Sequence, residues 1–169
     1  MPVPLLTPRA PVAERSSARS LHPSAGRPTA ALSADALRSM AAGLAAPLTG
    51  DELRVPAGQD RAFIRLLDTE AYDAWLIAWT QSGALDLHDH GGSEGAVHVV
   101  RGRLAERYAD HADLSRVRTR RLRAGRGIHV PANRIHEVWN PGSSVAVSVH
   151  VYSPPLADMT FYPATGADT

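Results

Sequence analysis

From residue 56 onward, short runs rich in β-branched and aromatic residues alternate with turn residues, and this alternation most limits what the chain can fold into. Such runs are typical of strands, and their spacing predicts an all-β sandwich or small barrel. The run at 74–80 is apolar on both faces, as a central strand would be. The run at 97–108 becomes strongly charged after Val100, where we expect it to leave the core. The expected strands are 62–68, 74–80, 97–108, 117–123 and 144–152.

Length and charge exclude several classes of protein. With 169 residues, the chain has room for one domain with a hydrophobic core. Eighteen basic residues against seventeen acidic ones give a net charge of +1, so no overall field favours nucleic acid or an anionic membrane. No apolar stretch has the roughly 18 residues that a membrane span needs, and no apolar signal core begins the chain. We expect a cytoplasmic monomer with neither a nucleic-acid nor a membrane partner.

The first 30 residues contain six prolines, four arginines and no apolar periodicity. Residues 1–30 are therefore expected to form a disordered tail, and residues 31–169 the folded domain. A leader rich in arginine and poor in acids is also typical of a transit peptide, but this one lacks amphipathic spacing. Ser33 then precedes apolar residues at helical spacing, which predicts one short helix ending near Gly43 or Pro47.

Histidine is abundant and cysteine is absent, which narrows the possible chemistry. Zero cysteines exclude disulfides, thiolate metal ligands and cysteine nucleophiles, while eight histidines are many for a neutral chain of this size. His88 and His90 stand two residues apart in a strand-like segment, so both imidazoles point to one side and can bind one metal ion. Such a pair also arises by chance or on a solvated strand, so alone it is weak evidence.

The segment from Gly125 to Asn140 strengthens the case, because with the His-x-His segment it resembles the paired motifs of the cupin superfamily. The first motif is H-x-H, three or four residues, Glu and Gly. The second is G, five residues, P-x-G, two residues, H, three residues, N. Gly125, Pro131, His136 and Asn140 are in register with it, and Asn133 replaces the usual glycine. Asn is a tolerable replacement, since after glycine it enters the left-handed region most easily.

This resemblance implies both a fold and a metal site. The implied fold is all-β, a cupin double-stranded β-helix or jelly-roll barrel, here with a short N-terminal helical flank. In that fold the third histidine comes from a strand opposite the pair. His88, His90 and His136 would therefore converge inside the barrel on one metal.

The fourth ligand position, a carboxylate in many cupins, decides the chemistry. With six residues between it and Gly102, this position is Gly95, while Glu94 is its neighbour and points elsewhere if the strand has begun. The metal is then expected to have three neutral ligands. The alternative is that the Gly91-Gly92 turn shifts the register and Glu94 binds, as in four-ligand cupins.

The segment S-V-H-V-Y-S-P-P at 148–155 is similar to the S-x-H-x-Y-S-P-P signature of the cysteine dioxygenase family. There it belongs to a strand that brings a Ser, a His and a Tyr into the iron pocket, followed by a cis Ser-Pro bond. Here Ser148, His150 and Tyr152 share one strand face and can form a hydrogen-bonded row. The alternative is an ordinary core strand. Mammalian members join the tyrosine to a cysteine at the Gly95 position, so Tyr152 is expected to work without that link.

The resemblance extends upstream to Phe63-Ile64-Arg65, which matches the family's aromatic-x-Arg segment. The family's arginine holds the substrate carboxylate, which implies that Arg65 is the substrate anchor. Guanidinium suits this role because it stays charged when buried and binds a carboxylate with two parallel hydrogen bonds. The alternative is a surface arginine comparable to Arg61.

The resemblance, which covers roughly residues 60–156, implies a non-haem Fe(II) thiol dioxygenase. A small thiol substrate and O2 would meet at the metal, and L-cysteine would leave as cysteine sulfinic acid. One alternative is a dioxygenase of another small thiol acid such as 3-mercaptopropionate, for which Gln is expected at position 65. Another is a non-catalytic or zinc-binding cupin. Four histidines are not expected to be ligands: His22, His98, His111 and His129.

Overall fold

The computed structural model describes residues 31–163, so the predicted tail at 1–30 and residues 164–169 lie outside the described part. Within residues 31–163 the chain forms one helix and nine strands. They are α1 Ala34–Ala45, β1 Arg61–Asp68, β2 Asp73–Trp79, β3 Ala84–His88, β4 Glu94–Arg101, β5 Arg103–Asp110, β6 Asp113–Arg123, β7 Gly127–Val130, β8 Arg134–Trp139 and β9 Ala146–Ser153. The predicted fold class, all-β with a short N-terminal helix, is confirmed. α1 is too short to cross a membrane, and the described residues contain no other helix.

The strands form two antiparallel sheets. The larger sheet has the order β1-β2-β9-β4-β7, and the smaller has the order β3-β8-β5-β6. Apolar residues from both sheets meet between them, including Trp79 and Val99 from the larger sheet and Leu104 and Val138 from the smaller one. The two sheets therefore enclose a common interior.

β9 is the central strand of the larger sheet and is buried at all eight positions. Because side chains alternate along a strand, its two faces meet different surroundings. The valines at 147, 149 and 151 lie in the cluster that packs under α1, where Leu37 and Ala41 are buried. The opposite face carries Ser148, His150 and Tyr152 toward the interior between the sheets. The helix thus closes one side of the sheet and leaves the other for polar residues.

The helix begins as the sequence predicts. Ser33 is its N-cap, and its hydroxyl accepts a hydrogen bond from the backbone N–H of Ala36 at 3.3 Å. Such a cap satisfies one of the N–H groups that have no partner inside a helix. The helix ends at Ala45, between the two predicted end points.

The expectation for residues 97–108 is wrong in two respects. The run is not one strand, because β4 ends at Arg101 and β5 begins at Arg103. Gly102 between them has φ +77°, and a Cβ there would lie 2.9 Å from the Cα of Ala146, so the turn needs glycine. The chain also does not leave the core after Val100, because residues 104–106 are buried. Charge in the sequence was misleading because one of these buried residues, Glu106, has charged partners inside the fold.

Asn140, one of the motif residues, has a structural role. Its side-chain amide donates hydrogen bonds to the backbone oxygens of Trp79, Thr80 and Ser144, and its carbonyl oxygen accepts from the N–H of Gly142 at 2.8 Å. These bonds join the end of β8 to the end of β2. The asparagine therefore ties the two sheets together.

Candidate metal centre

Three histidines meet in the interior between the sheets. His88 ends β3, His90 follows two residues later, and His136 lies opposite His88 in the β3–β8 register. One nitrogen of each can be chosen so that all three lie within 4.8 Å of one another, and the Nε2 atoms of His90 and His136 are 3.1 Å apart. All three residues are buried. The structure thus brings together the three residues that the sequence predicts as ligands.

The outer nitrogens of two of these rings are held by hydrogen bonds. The Nδ1 of His88 lies 2.7 Å from the backbone oxygen of Asp86, and the Nδ1 of His136 lies 2.8 Å from Oε1 of Glu106. Both partners are acceptors, so each Nδ1 donates and each Nε2 keeps its lone pair. The Nδ1 of His90 is buried without a hydrogen-bond partner among the described residues. In the described part of the chain, the Nε2 lone pairs of His88 and His136 therefore accept no hydrogen bond from outside the three-histidine group and can face a metal ion.

Burial also keeps two of these rings, His88 and His90, neutral. It lowers the pKa of His88 well below its usual value, and the neighbouring His136 adds to the effect. For His90, burial and then the nearby His136 and His88 lower the pKa to about 2. Neutral, buried imidazoles at this spacing are the donor set of a transition-metal site. The residues present therefore fit a divalent metal held by three nitrogens.

Glu94 does not join the group. Its Oε2 lies 2.8 Å from Nε2 of His129 on the neighbouring strand β7. The register explains why, since Gly95 pairs with Tyr152 and faces inward while its neighbour alternates to the other side. A Cβ at Gly95 would lie only 3.1 Å from the ring of Tyr152. Among the described residues the group contains three histidines and no carboxylate.

The predicted polar row on β9 is present. Ser148 Oγ lies 2.9 Å from Nε2 of His150, and Nδ1 of His150 lies 3.2 Å from the hydroxyl of Tyr152. Trp79 Nε1–H donates to Ser148 Oγ at 3.0 Å. Ser148 can then donate its own proton to His150, whose Nδ1–H donates to Tyr152. In that arrangement the phenol proton is free to face the site.

Tyr152 connects this row to the histidines. Its ring centroid is 4.8 Å from that of His90, with the planes at 74°. Burial raises the pKa of Tyr152 above its usual value, so the phenol keeps its proton at neutral pH. Burial lowers the pKa of His150 to about 3, so this ring is neutral. The row can supply a hydrogen bond next to the three-histidine group, and the peptide bond after Ser153 is cis, as the resemblance implies.

Arg65 lies on the edge strand of the larger sheet, here called the rim, and is not part of the three-histidine group. It pairs with Trp75, which pairs with His150, so Arg65 occupies the inward face of the sheet two strands away from the polar row. Its guanidinium carbon lies 4.7 Å from the centre of the Trp75 ring, and it forms an ion pair with Asp68. The side chain is 44% exposed. This position suits a group that meets a ligand entering from solvent.

Glu106 is a buried residue that the sequence reasoning missed. It is 1% exposed, accepts from His136 and forms an ion pair with Arg120 of β6. Burial alone would raise the pKa of Glu106, but the hydrogen bonds from His136 and Arg120 outweigh it and hold the pKa below its usual value. No local sequence signal marks this glutamate, because its partners come from two other strands.

The segment after β9 also contributes. Phe161 forms an isolated bridge with His88, and their ring centroids are 5.8 Å apart. Tyr162 donates a hydrogen bond to Oδ2 of Asp89 at 2.6 Å. The backbone N–H of Asp89 donates to the oxygen of Thr160. These contacts fix the His-Asp-His segment from its outer side.

The chain is similar to known proteins in sequence and in fold. The sequence model of the family described as cysteine dioxygenase type I matches residues 58–164. The protein TT1209 from Thermus thermophilus is 23% identical with a TM-score of 0.53, over 61% of this chain and 90% of that one. A cupin superfamily protein from Desulfitobacterium hafniense is 12% identical with a TM-score of 0.52, over 63% of this chain and 88% of that one.

An oxalate decarboxylase from Lactobacillus farciminis, solved as a formate complex, is 20% identical with a TM-score of 0.56. The match covers 66% of this chain and only 34% of the decarboxylase, so this chain spans about a third of that protein. At these identities the likeness concerns the fold. It confirms the predicted cupin barrel.

Proposed function

The chain belongs to the cysteine dioxygenase type I family, and from this premise we propose that it is an Fe(II)-dependent dioxygenase of L-cysteine. In the reaction the substrate thiolate, R–S⁻, gains both atoms of O2 and becomes the sulfinate R–SO2⁻. The observation that carries the proposal is the polar row of Ser148, His150 and Tyr152 placed beside the three-histidine group, with Tyr152 in ring contact with His90. A metal-binding module without catalysis has no need of such a row.

His88, His90 and His136 would hold the metal through their ring nitrogens. When bound, the metal supplies the redox and Lewis-acid chemistry for the reaction of a thiolate with O2. Because all three protein ligands are neutral, the site keeps the full positive charge of a divalent ion and favours an anionic substrate group. A nearby cation lowers a thiol pKa from its usual value of about 8.5, so the substrate would bind as thiolate.

Tyr152 would donate a hydrogen bond to the reacting groups. Its phenol stays protonated and is positioned by His150, which is held by Ser148, whose hydroxyl oxygen in turn accepts from Trp79. A donor that is already oriented needs no rearrangement when charge develops during the reaction. The row therefore acts as a fixed hydrogen-bond donor at a defined place.

Arg65 would bind the substrate carboxylate at the rim. Its ion pair with Asp68 is exposed and exchangeable, and stacking on Trp75 holds the guanidinium plane in one orientation. A bidentate contact there would orient the thiol toward the histidines. Arginine at this position favours a carboxylate-bearing substrate, and it favours cysteine over 3-mercaptopropionate because the resemblance implies Gln here for the latter.

One experiment tests the proposal. The purified protein is analysed for metal content, and oxygen uptake is then measured with L-cysteine and with 3-mercaptopropionate. We expect iron, uptake with L-cysteine and formation of cysteine sulfinic acid. Faster turnover of 3-mercaptopropionate would show that this thiol, and not L-cysteine, is the preferred substrate. Bound zinc without oxygen uptake with either thiol would refute the enzymatic proposal.

A further inference from the structure

The carboxylate of Glu106 links the three-histidine group to the outer strand of the smaller sheet. Its Oε1 accepts from Nδ1 of His136 at 2.8 Å, and its Oε2 accepts from Nε of Arg120. Glu106 is 1% exposed, so the contact is shielded from bulk solvent. A charge is buried at such a place only when it is paired and hydrogen-bonded, as this one is on both oxygens.

We infer that Glu106 is a positioning residue that fixes the orientation of His136 and increases its strength as a metal ligand. This inference rests on the proposed metal site. A carboxylate that accepts from the outer nitrogen of a ligand imidazole holds the ring tautomer and raises the basicity of the other nitrogen. Among the described residues, Glu106 is the carboxylate that is hydrogen-bonded to one of the three histidines, so it brings negative charge to an otherwise neutral group.

The partner on the other oxygen limits this effect. Arg120 is a cation that stays charged, and its guanidinium carbon lies 4.7 Å from the ring centre of Tyr108. It keeps the glutamate ionised and in place, so that the carboxylate is not free to move into the site and bind the metal itself. The described structure thus has a carboxylate one hydrogen bond away from a ligand histidine and none among the ligands.

The chain contains a matched pair elsewhere. Glu94 and His129 have the same contact, a carboxylate oxygen 2.8 Å from a ring nitrogen, but His129 is not part of the three-histidine group. Glu94→Gln therefore changes a glutamate–histidine pair without touching a ligand. It is the control for Glu106→Gln, which removes the charge and keeps the shape.

Two measurements are made on each variant, the affinity of the metal-free protein for Fe(II) in competition with a chelator and the midpoint potential of the iron-loaded protein. For Glu106→Gln we expect the affinity to fall by about 10- to 100-fold. We also expect a higher midpoint potential, because an anionic partner on a ligand stabilises the more oxidised metal. For Glu94→Gln we expect both values to stay at those of the wild type.

Folding is monitored by circular dichroism and thermal unfolding of the metal-free proteins. If Glu106→Gln does not fold, Glu106→Asp keeps the charge but withdraws the carboxylate from His136, and a weakened affinity is again expected. If the wild type binds iron and a folded Glu106 variant shows unchanged Fe(II) affinity and midpoint potential, the inference is overturned. An equal loss in Glu94→Gln would overturn it too. A wild-type protein that binds no metal would instead refute the proposed function.

Discussion

The two sheets contribute different chemistry to one interior. The smaller sheet, with the residues that follow β3, carries the three histidines, which offer neutral lone pairs. The larger sheet carries the Ser148–His150–Tyr152 row on its central strand and Arg65 on its edge strand, which offer hydrogen-bond donors and a positive charge. In the proposed function, metal binding and substrate handling are divided between opposite walls, and substitutions on the two walls are expected to have separable effects.

The largest effect is expected on the histidine wall. His136→Ala removes one of three proposed ligand nitrogens and leaves buried Glu106 with Arg120 as its remaining hydrogen-bond donor. We expect no retained metal after dialysis and oxygen uptake at the background rate, measured by elemental analysis and an oxygen electrode. His98→Ala is the control, since His98 lies outside the group. Full activity in the His136 variant would remove the basis for the metal site.

On the opposite wall, Tyr152→Phe is expected to keep the metal and lose turnover. The variant removes one hydroxyl from the end of the polar row, so metal content should match the wild type. The loss of an oriented donor predicts a fall in kcat of about 100- to 1000-fold. Tyr72→Phe is the matched control, because Tyr72 packs against the cluster under α1. Loss of metal in Tyr152→Phe would show that the two walls are not separable.

A smaller effect is expected at the rim. Arg65→Gln removes the charge that would bind the substrate carboxylate, and we expect KM for L-cysteine to rise about 10- to 100-fold, the range for a lost hydrogen bond to a charged group. Cysteamine, which has no carboxylate, should be affected least. Arg61→Gln on the same strand is the control, since Arg61 donates to the backbone oxygen of Ala84. An equal rise in KM for both thiols would show that Arg65 does not bind the substrate carboxylate.

The last prediction concerns the stability of the metal-free protein and not its activity. His88, His90 and His150 have lowered pKa values and stay neutral in the fold, whereas in the unfolded chain they bind protons below about pH 6.5. The unfolded state therefore binds more protons, and stability falls as the pH decreases below about 6.5. We expect a loss of about 1 kcal/mol per histidine per pH unit.

Urea unfolding after chelator treatment, at about pH 7.5, 6.0 and 5.0, measures this slope. Both walls contribute, because His150 lies in the polar row and the other two histidines in the metal group. His150→Gln should therefore reduce the slope by about a third. A free energy of unfolding that does not change across this pH range would contradict neutral burial of these rings.

Features that depend on local spacing were predictable from the sequence. The cap at Ser33, the alternation that puts Ser148, His150 and Tyr152 on one face, and the common side of His88 and His90 all follow from the geometry of one helix or strand. The position of His136 needed the superfamily resemblance, because its distance from the pair is set by the barrel.

Features that depend on pairing between strands were not predictable. Glu106 stands in a charged stretch, and only the placement of β8 and β6 on either side of β5 gives it His136 and Arg120 as buried partners. The contact of Phe161 with His88 likewise joins residues far apart in the chain. Hydrophobic patterning reports which face of a strand is buried and not which strand lies beside it.

The place of β9 has a consequence for how the molecule assembles. The central strand of the larger sheet follows all the other described strands in the chain, and it lies between β2 and β4, which are made much earlier. During synthesis those two strands lack the strand that pairs with both of them until residues 146–153 have left the ribosome. The polar row arrives on that same strand, so the wall that carries it is completed only after the strands of the histidine wall have been made.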